Sequence, residues 1–359
     1  MVKVLIADDS AIVRAMLSQV LGDDSRFEVT ALAENGKIAV EMSSKFSPDL
    51  IVMDLNMPVL NGLEAIIEIM KTQSPSIVVF STEDDPEICY HCLEAGAIDI
   101  VKKPNLSTMN MQQIRNFCDN LYELSEAFRK HNIQTQKLRN HYQAQFIEET
   151  RTNGDSINID EINPQRFSVL AIGASTGGPI AIQKVLIDIG PDFNLPIIIT
   201  QHIDAIFDGH FVSWLGKSTG MEVKTAADGE KLKAGNVYIA PAGSHLCVEE
   251  STANTYMIRL DDSEEVHFLK PSVDVMFKSC AKTIGHKTLA LLLTGMGADG
   301  AEGMKEIHDK GGTTIAQSEK SCTIYGMPKA ALELNAVSHV EDLDRIGRLV
   351  KLKTGDANA

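Results

Sequence analysis

The stretch 168-SVLAIGASTGGPIAIQKVL-186 decides the fold of the longer half of this 359-residue chain. Val169 to Ile172 form an apolar, partly β-branched run that reads as a buried strand. The run breaks at Gly173, turns through Ala-Ser-Thr-Gly-Gly and resumes at Pro179 with helical spacing. Proline suits the first turn of a helix, where its missing N–H removes no bond. The segment is therefore strand, tight turn, helix, with Ser175 at the apex. The spacing Gly173-x-Ser175-x-Gly177 fits a nucleophile elbow, in which small flanking residues tolerate the strained turn that presents a hydroxyl. Two rival glycine-rich turns fail. A dinucleotide fingerprint requires glycine where Ser175 stands, and a phosphate-binding loop requires Gly-Lys-Ser/Thr where Gly178 is followed by Pro179 and Ile180.

A chain of this length exceeds one typical domain, so two or three are expected. The net charge of −16 is unevenly spread. Residues 1–104 carry 8 basic against 17 acidic side chains (−9), residues 105–165 carry 6 against 8 (−2), and residues 166–359 carry 19 against 24 (−5). No part offers the basic face that duplex binding requires, so no nucleic-acid partner is expected. The N-terminus lacks a signal-peptide pattern, and no apolar run reaches the roughly 18–20 residues of a membrane span. A cytoplasmic protein without membrane insertion is expected. Cys89 and Cys92 form a C-x-x-C with no second ligand pair nearby, and they read as ordinary cysteines of a helix.

The N-terminal part alternates apolar runs with helical segments. In 2-VKVLIADDSAIVRAMLSQVL-21 a strand ends in Asp8 and Asp9, and Ser10 caps the helix that follows. The stretch 49-DLIVMDLNMPVLNG-62 is a second strand ending in Asp54, 77-IVVFST-82 a third ending in Ser81 and Thr82, and 98-IDIVKKP-104 a fourth ending in Lys102, Lys103 and Pro104. Helices are expected over 10–20, 35–45, 62–71 and 86–94. This alternation gives a doubly wound parallel sheet, with its crevice beyond the carboxyl ends of the strands. Three carboxylates meeting there repel one another unless a cation joins them, and a hard divalent ion such as Mg²⁺ suits them.

The set Asp8-Asp9, Asp54 with Met57-Pro58 and Asn61-Gly62, Ser81 and Lys103-Pro104 closely resembles a response-regulator receiver domain. The resemblance implies that Asp54 accepts a phosphoryl group from a histidine kinase. It implies that Asp8, Asp9, Asp54 and the carbonyl of Asn56 hold Mg²⁺. Lys103 would pair with the phosphoryl oxygens and Ser81 (or its neighbour Thr82) would shift to bond them. Ile100 stands where the family usually places an aromatic switch residue.

Residues 109–128 read as the last helix of this domain, with Ile114, Phe117, Leu121 and Leu124 on one face. The following stretch to Gln165 is rich in Gln, Asn and charge and cannot bury a core, although a short helix fits around 135–148. The expected organisation is a first domain over 1–125, a linker over 126–165 and a second domain over 166–355.

The second domain is again α/β, with strand-like runs at 168–172, 196–200, 236–240 and 288–293. Ser175 follows the first, Gln201-His202 the second, the segment to His245 the third, and Asp299 the fourth. A hydroxyl, a histidine and an aspartate at separate strand ends support acyl-group hydrolysis: the histidine takes the serine's proton, and the carboxylate fixes the histidine's tautomer. Spacing does not choose between His202 and His245, nor exclude Asp204, Asp208 or Asp274 as the orienting acid.

The segments 171-AIGASTGGP-179, 201-QH-202, 238-YIAP-241, 271-PSVDVMF-277, 293-LTGMGADG-300 and 326-GMPKAA-331 look like the catalytic domain of the chemotaxis receptor methylesterases, the CheB family. The resemblance implies a flavodoxin-like receiver and a Rossmann-like α/β methylesterase domain. Ser175 would be the nucleophile, His202 the base and Asp299 its orienting partner. Thr176 would help position the imidazole, and the Met296 N–H would help form the oxyanion hole. The implied activity is hydrolysis of glutamate γ-methyl esters on methyl-accepting chemoreceptors, with deamidation of receptor glutamines, activated by phosphorylation. No cofactor is expected for the hydrolysis itself. Ile203-Asp204 replaces the family's Met-Pro after the histidine, and 265-EVHFLK-270 replaces an arginine-bearing loop. Both departures fall where a receptor helix is expected to dock.

Overall fold

The computed structural model describes residues 1–81, 86–103, 108–126, 128, 167–252 and 254–355, and divides into two compact units, Met1–Lys130 and His131–Ala359. The expected short helix at 135–148, with Thr82 and Pro104, lies outside the described residues.

In the first unit five parallel strands alternate with helices: β1 (Val2–Ala7), α1 (Ala11–Gly22), β2 (Phe27–Ala33), α2 (Gly36–Phe46), β3 (Leu50–Met53), α3 (Gly62–Met70), β4 (Ser76–Ser81), α4 (Pro86–Glu94), β5 (Asp99–Lys102) and α5 over residues 111–126. The order β2-β1-β3-β4-β5 is doubly wound. Local signals set the helix starts. Ser10 accepts from Val13 N–H, Asn35 from Ile38 N–H, and Asn61 with Glu64 forms a reciprocal capping box. Strand β2 was missing from the sequence expectation. It is an edge strand whose central residues are only half-buried, so its sequence FEVTALA lacks a sustained apolar run. Cys89 and Cys92 are buried residues of α4, and burial pushes the Cys92 thiol upward.

The second unit holds β6 (Val169–Ala174), α6 (Gly178–Ile189), β7 (Ile197–Gln201), α7 (Asp208–Thr219), β8 (Glu222–Thr225), β9 (Asn236–Ile239), β10 (His245–Thr252), β11 (Thr255–Asp261), α8 (Val273–Thr283), β12 (Thr288–Leu292), α9 (Ala301–Asp309), β13 (Thr313–Gln317), α10 (Met327–Glu333), β14 (His339–Glu341) and α11 (Leu343–Thr354). Seven strands form a parallel sheet ordered β14-β13-β12-β6-β7-β9-β8, and β10 with β11 makes a separate antiparallel hairpin. Sequence reading found β6, β7, β9 and β12. It missed β8 and β14, which are short edge strands, the hairpin, whose outer ends are polar, and the buried interior strand β13, whose Thr313, Thr314 and Gln317 leave only two apolar residues between them.

The strands β6 and β12 are buried on both faces, as a central parallel pair requires. Val169, Ala171, Ala290 and Leu292 join one core with Val273, Met276 and Phe277 of α8 and Met304 and Ile307 of α9. Helices α6, α7 and α11 pack on one another as a second layer. The chain runs outward from β6 through β7 and returns to β12 on the opposite side of β6. The reversal opens a crevice at the carboxyl end of β6.

Candidate active site and phosphoacceptor site

Every sequence-nominated residue of the second unit except Asp208, His245 and Asp274 lies on a strand-to-helix connection at this carboxyl edge. Ser175 follows β6, and its N–H donates to the Thr294 carbonyl (3.1 Å) while its own carbonyl accepts from Gly178 N–H (2.8 Å). Gly177 caps α6 at φ 75°, a left-handed turn that glycine adopts without strain. His202 leaves β7 with its N–H on the Ala174 carbonyl at 3.1 Å, which fixes it beside the Ser175 turn.

The imidazole Nε2 of His202 lies 2.8 Å from Asp299 Oδ2. Asp299 is 3% exposed and takes three further bonds: from the Ser272 hydroxyl (2.8 Å), Val273 N–H (2.7 Å) and Asp274 N–H (3.1 Å). Those donors form the first turn of α8, whose dipole and unsatisfied N–H groups favour an anion. Burial pushes the Asp299 carboxyl up, but His202, the Val273 N–H and the Ser272 hydroxyl together hold it below the usual carboxylate range. With Nε2 on Asp299, the ring nitrogen left for a reacting group is Nδ1. Among the described residues no hydrogen bond joins the Ser175 hydroxyl to His202.

The loop carrying Met296 is pressed onto the serine. A Cβ on Gly295 would lie 2.8 Å from Ser175 Cβ and 3.1 Å from Ser175 N, so only glycine allows this approach. Met296 is half-buried, and among the described residues its N–H donates to no backbone carbonyl. Thr176 is buried next to the serine, with its carbonyl held by the Thr294 hydroxyl at 3.0 Å.

In the first unit, β1 and β3 are neighbours with Ala7 opposite Met53, so Asp8 and Asp54 emerge side by side. Lys103 Nζ lies 2.8 Å from Asp8 Oδ2 and 2.8 Å from Asp54 Oδ1. Burial raises the Asp54 carboxyl, opposed by Lys103. Burial would lower Lys103, but the two carboxylates hold it above its ordinary value. Asp8, Asp9 and Asp54 offer oxygens that all lie within 4.8 Å of one another, a hard-oxygen donor set that suits a divalent cation. Asn56 is exposed two residues beyond Asp54. Ser81 is buried at the end of β4 opposite Lys102, and its carbonyl accepts from Lys103 N–H at 2.7 Å.

Comparison with known proteins decides the family. The model of the CheB methylesterase family matches residues 170–350, and that of the response regulator receiver domain matches residues 4–115. A protein-glutamate methylesterase/protein-glutamine glutaminase of Vibrio vulnificus is 36% identical over 348 residues, covering 96% of each chain. The chain belongs to the CheB methylesterase family. A second CheB relative, from Aliivibrio fischeri and with the same dual name, is 34% identical over 99% of each chain. The crystal structure of the Thermotoga maritima CheB methylesterase catalytic domain matches with a TM-score of 0.50 and 33% identity, covering 52% of this chain and 97% of that one.

Within this CheB chain, the rival candidates that spacing left open are engaged elsewhere. His245 is buried at the start of β10, with Nδ1 3.0 Å from Ser272 N and Nε2 3.1 Å from the Glu264 carbonyl. Asp204 caps the short 3₁₀ turn Ala205–Phe207, and Asp208 accepts from Ala242 N–H at 2.9 Å. Asp274 accepts from Gly303 N–H at 2.7 Å, and burial raises its carboxyl above the ordinary range. Two supporting side chains escaped the sequence reading. Gln201 Nε2 donates to the carbonyls of Ser175 (2.9 Å) and His202 (2.8 Å), binding the two turns together. Ser272 holds Asp299 while capping α8. Its place before the helical run 273–283 is a visible N-cap signal; Gln201 carries none.

Proposed function

We propose that this chain is a phosphorylation-activated serine hydrolase that converts glutamate γ-methyl esters on chemoreceptors to glutamate and methanol. It also deamidates receptor glutamines, since amide and ester hydrolysis share a tetrahedral intermediate. The observation that carries the reading is the buried His202–Asp299 pair at 2.8 Å beside the Ser175 turn.

Ser175 Oγ attacks the ester carbonyl carbon as its proton passes to His202 Nδ1. Asp299, bonded to Nε2, holds the ring orientation and stabilises the imidazolium. The oxyanion is received by the Met296 N–H in a loop already packed on the serine. Thr176 helps hold the imidazole in place. Collapse of the intermediate breaks the C–OCH₃ bond, and His202 returns its proton to the departing methoxide, giving methanol and an acyl-Ser175 ester. Water then attacks that ester with His202 again as base, releasing the glutamate and restoring the serine. A glutamine loses ammonia by the same route. No cofactor takes part in this hydrolysis.

In the receiver domain Asp54 accepts a phosphoryl group from a chemotaxis histidine kinase. Asp8, Asp9, Asp54 and the Asn56 carbonyl would hold Mg²⁺, which neutralises charge during phosphoryl transfer. Lys103, already between Asp8 and Asp54, moves to the phosphoryl oxygens, and Ser81 bonds them in turn. The chain acts in the cytoplasm, and among its described residues no helix is long and apolar enough to cross a membrane. The domains responsible are residues 1–125 and 166–355, joined by a linker over 126–165.

Methanol release from methylated chemoreceptor membranes tests the assignment. Release that disappears in Ser175→Ala supports it; release unchanged in that variant overturns it.

A further inference from the structure

Among the described residues, every donor to Asp299 other than His202 comes from three consecutive residues, Ser272, Val273 and Asp274. The placement of the orienting carboxylate therefore depends on where the backbone at Ser272 is held. That backbone is anchored by His245, a fully buried side chain with no part in the mechanism above. The Ser272 N–H points at His245 Nδ1 at 3.0 Å. An amide nitrogen can only donate, so Nδ1 bears no proton. The proton is then on Nε2, where it meets the Glu264 carbonyl at 3.1 Å. One imidazole thus ties the first carbonyl and the last N–H of the segment 264–272, the stretch that turns at His267-Phe268 and delivers the chain into α8.

We infer that His245 is a positioning residue for this hydrolase: as the neutral Nε2–H tautomer, it sets the Ser272 cradle that aims Asp299 at His202. It touches no reacting atom. Its effect reaches Ser175 through Ser272, Asp299 and His202 in series, and the inference rests on the catalytic roles proposed above.

Two substitutions separate its acceptor from its donor. Asparagine places a carbonyl oxygen where Nδ1 sits and preserves the bond from Ser272. Glutamine places its terminal amide near Nε2 and preserves only the bond to Glu264. In the full chain, acting on methylated receptor membranes, His245→Asn should keep kcat within about threefold. His245→Gln should lose roughly tenfold to a hundredfold in kcat, with KM little changed, as expected when a catalytic group is displaced by a fraction of an ångström. The downfield proton resonance of the His202–Asp299 hydrogen bond should persist in the first variant and vanish in the second. A purely structural histidine would instead lower stability in both variants, with the resonance and kcat of the folded fraction intact; that result overturns the inference. If His245→Gln does not fold, ¹⁵N spectra of the histidines in the wild-type protein still decide. A protonated Nδ1 on His245 refutes the proposal, and an unprotonated Nδ1 bonded to the Ser272 amide supports it. Hydrolysis that survives Ser175→Ala would count against the catalytic reading instead, leaving the tautomer result to be judged alone.

Discussion

Replacing Asp299 with asparagine removes one negative charge while keeping the side chain's shape. The four donors around this carboxylate make the consequence calculable. Oδ2 receives His202 Nε2 and Val273 N–H, and Oδ1 receives the Ser272 hydroxyl and Asp274 N–H. Asparagine offers one oxygen. If its NH₂ takes the Oδ2 position, Val273 N–H loses its acceptor and His202 must present Nε2 as an acceptor. That forces the proton onto Nδ1 and destroys its capacity as a base. If NH₂ takes the Oδ1 position, the tautomer survives but the imidazolium has no counter-charge. Two unit charges about 4 Å apart attract by about 4 kcal/mol at an effective dielectric of about 20. At about 1.4 kcal/mol per decade, the second orientation alone costs about 10³-fold in kcat. The first costs at least as much, as removal of the correct tautomer does in other triads. The assay is methanol release under saturating substrate, with Tm measured alongside because a buried donor loses its partner. A folded Asp299→Asn protein that retains kcat within about tenfold would refute the role given to Asp299.

Three further outcomes follow from the same geometry. Gly295→Ala would put a Cβ 2.2 Å from Met327 Sδ and 2.8 Å from Ser175 Cβ; the sulfur can move but the serine turn cannot, so fluorophosphonate labelling of Ser175 should slow about a hundredfold. Val59 sits at φ 69° and is 79% exposed, so Val59→Asn should stabilise the receiver domain by about 1 kcal/mol in urea unfolding by relieving a left-handed β-branched residue; an unchanged midpoint would contradict this. Asp274 is buried with Oδ2 unpartnered, and burial raises its carboxyl above the ordinary carboxylate range. The stability that its neutral form contributes is therefore complete below about pH 4 and is lost as pH rises through the folded value. Asp274→Asn should thus gain in Tm over wild type as pH is raised from 5 to 8, whereas a pH-independent difference would count against a neutral Asp274.

The α/β architecture was legible because its central strands announce themselves. Val169 to Ile172, Leu50 to Met53 and Leu289 to Leu292 are uninterrupted apolar runs, as strands covered on both faces must be. Most of the strands missed are those whose surroundings relax that demand: β2, β8 and β14 at sheet edges, and the β10–β11 hairpin, where His245 heads a strand instead of ending a loop. Strand β13 is buried and interior, and it was missed because Thr313, Thr314 and Gln317 leave only Ile315-Ala316 apolar. Physical reading of the site reached a set of candidates and no further. A strand end places Ser175, His202 and Asp299 at one edge, but spacing gives no reason to prefer Asp299 over Asp274, which lies in contact with it through its own N–H. The difference is tertiary. Asp299 gathers three donors from the start of α8, whereas the Asp274 carboxyl turns away to Gly303. Gln201 was invisible for the same reason, since nothing in a glutamine before a histidine says that its amide bridges two carbonyls.

The central claim is that phosphorylation of Asp54 governs hydrolysis at Ser175 within one chain. Methanol release from methylated receptor membranes, with and without a small-molecule phosphodonor and Mg²⁺, tests it most directly when wild type is run beside Asp54→Asn. The account predicts a rate that rises with phosphodonor in the wild type and stays flat in Asp54→Asn, with Ser175→Ala inactive throughout. Equal stimulation of wild type and Asp54→Asn, or none in a wild type whose Asp54 is demonstrably phosphorylated, would contradict it.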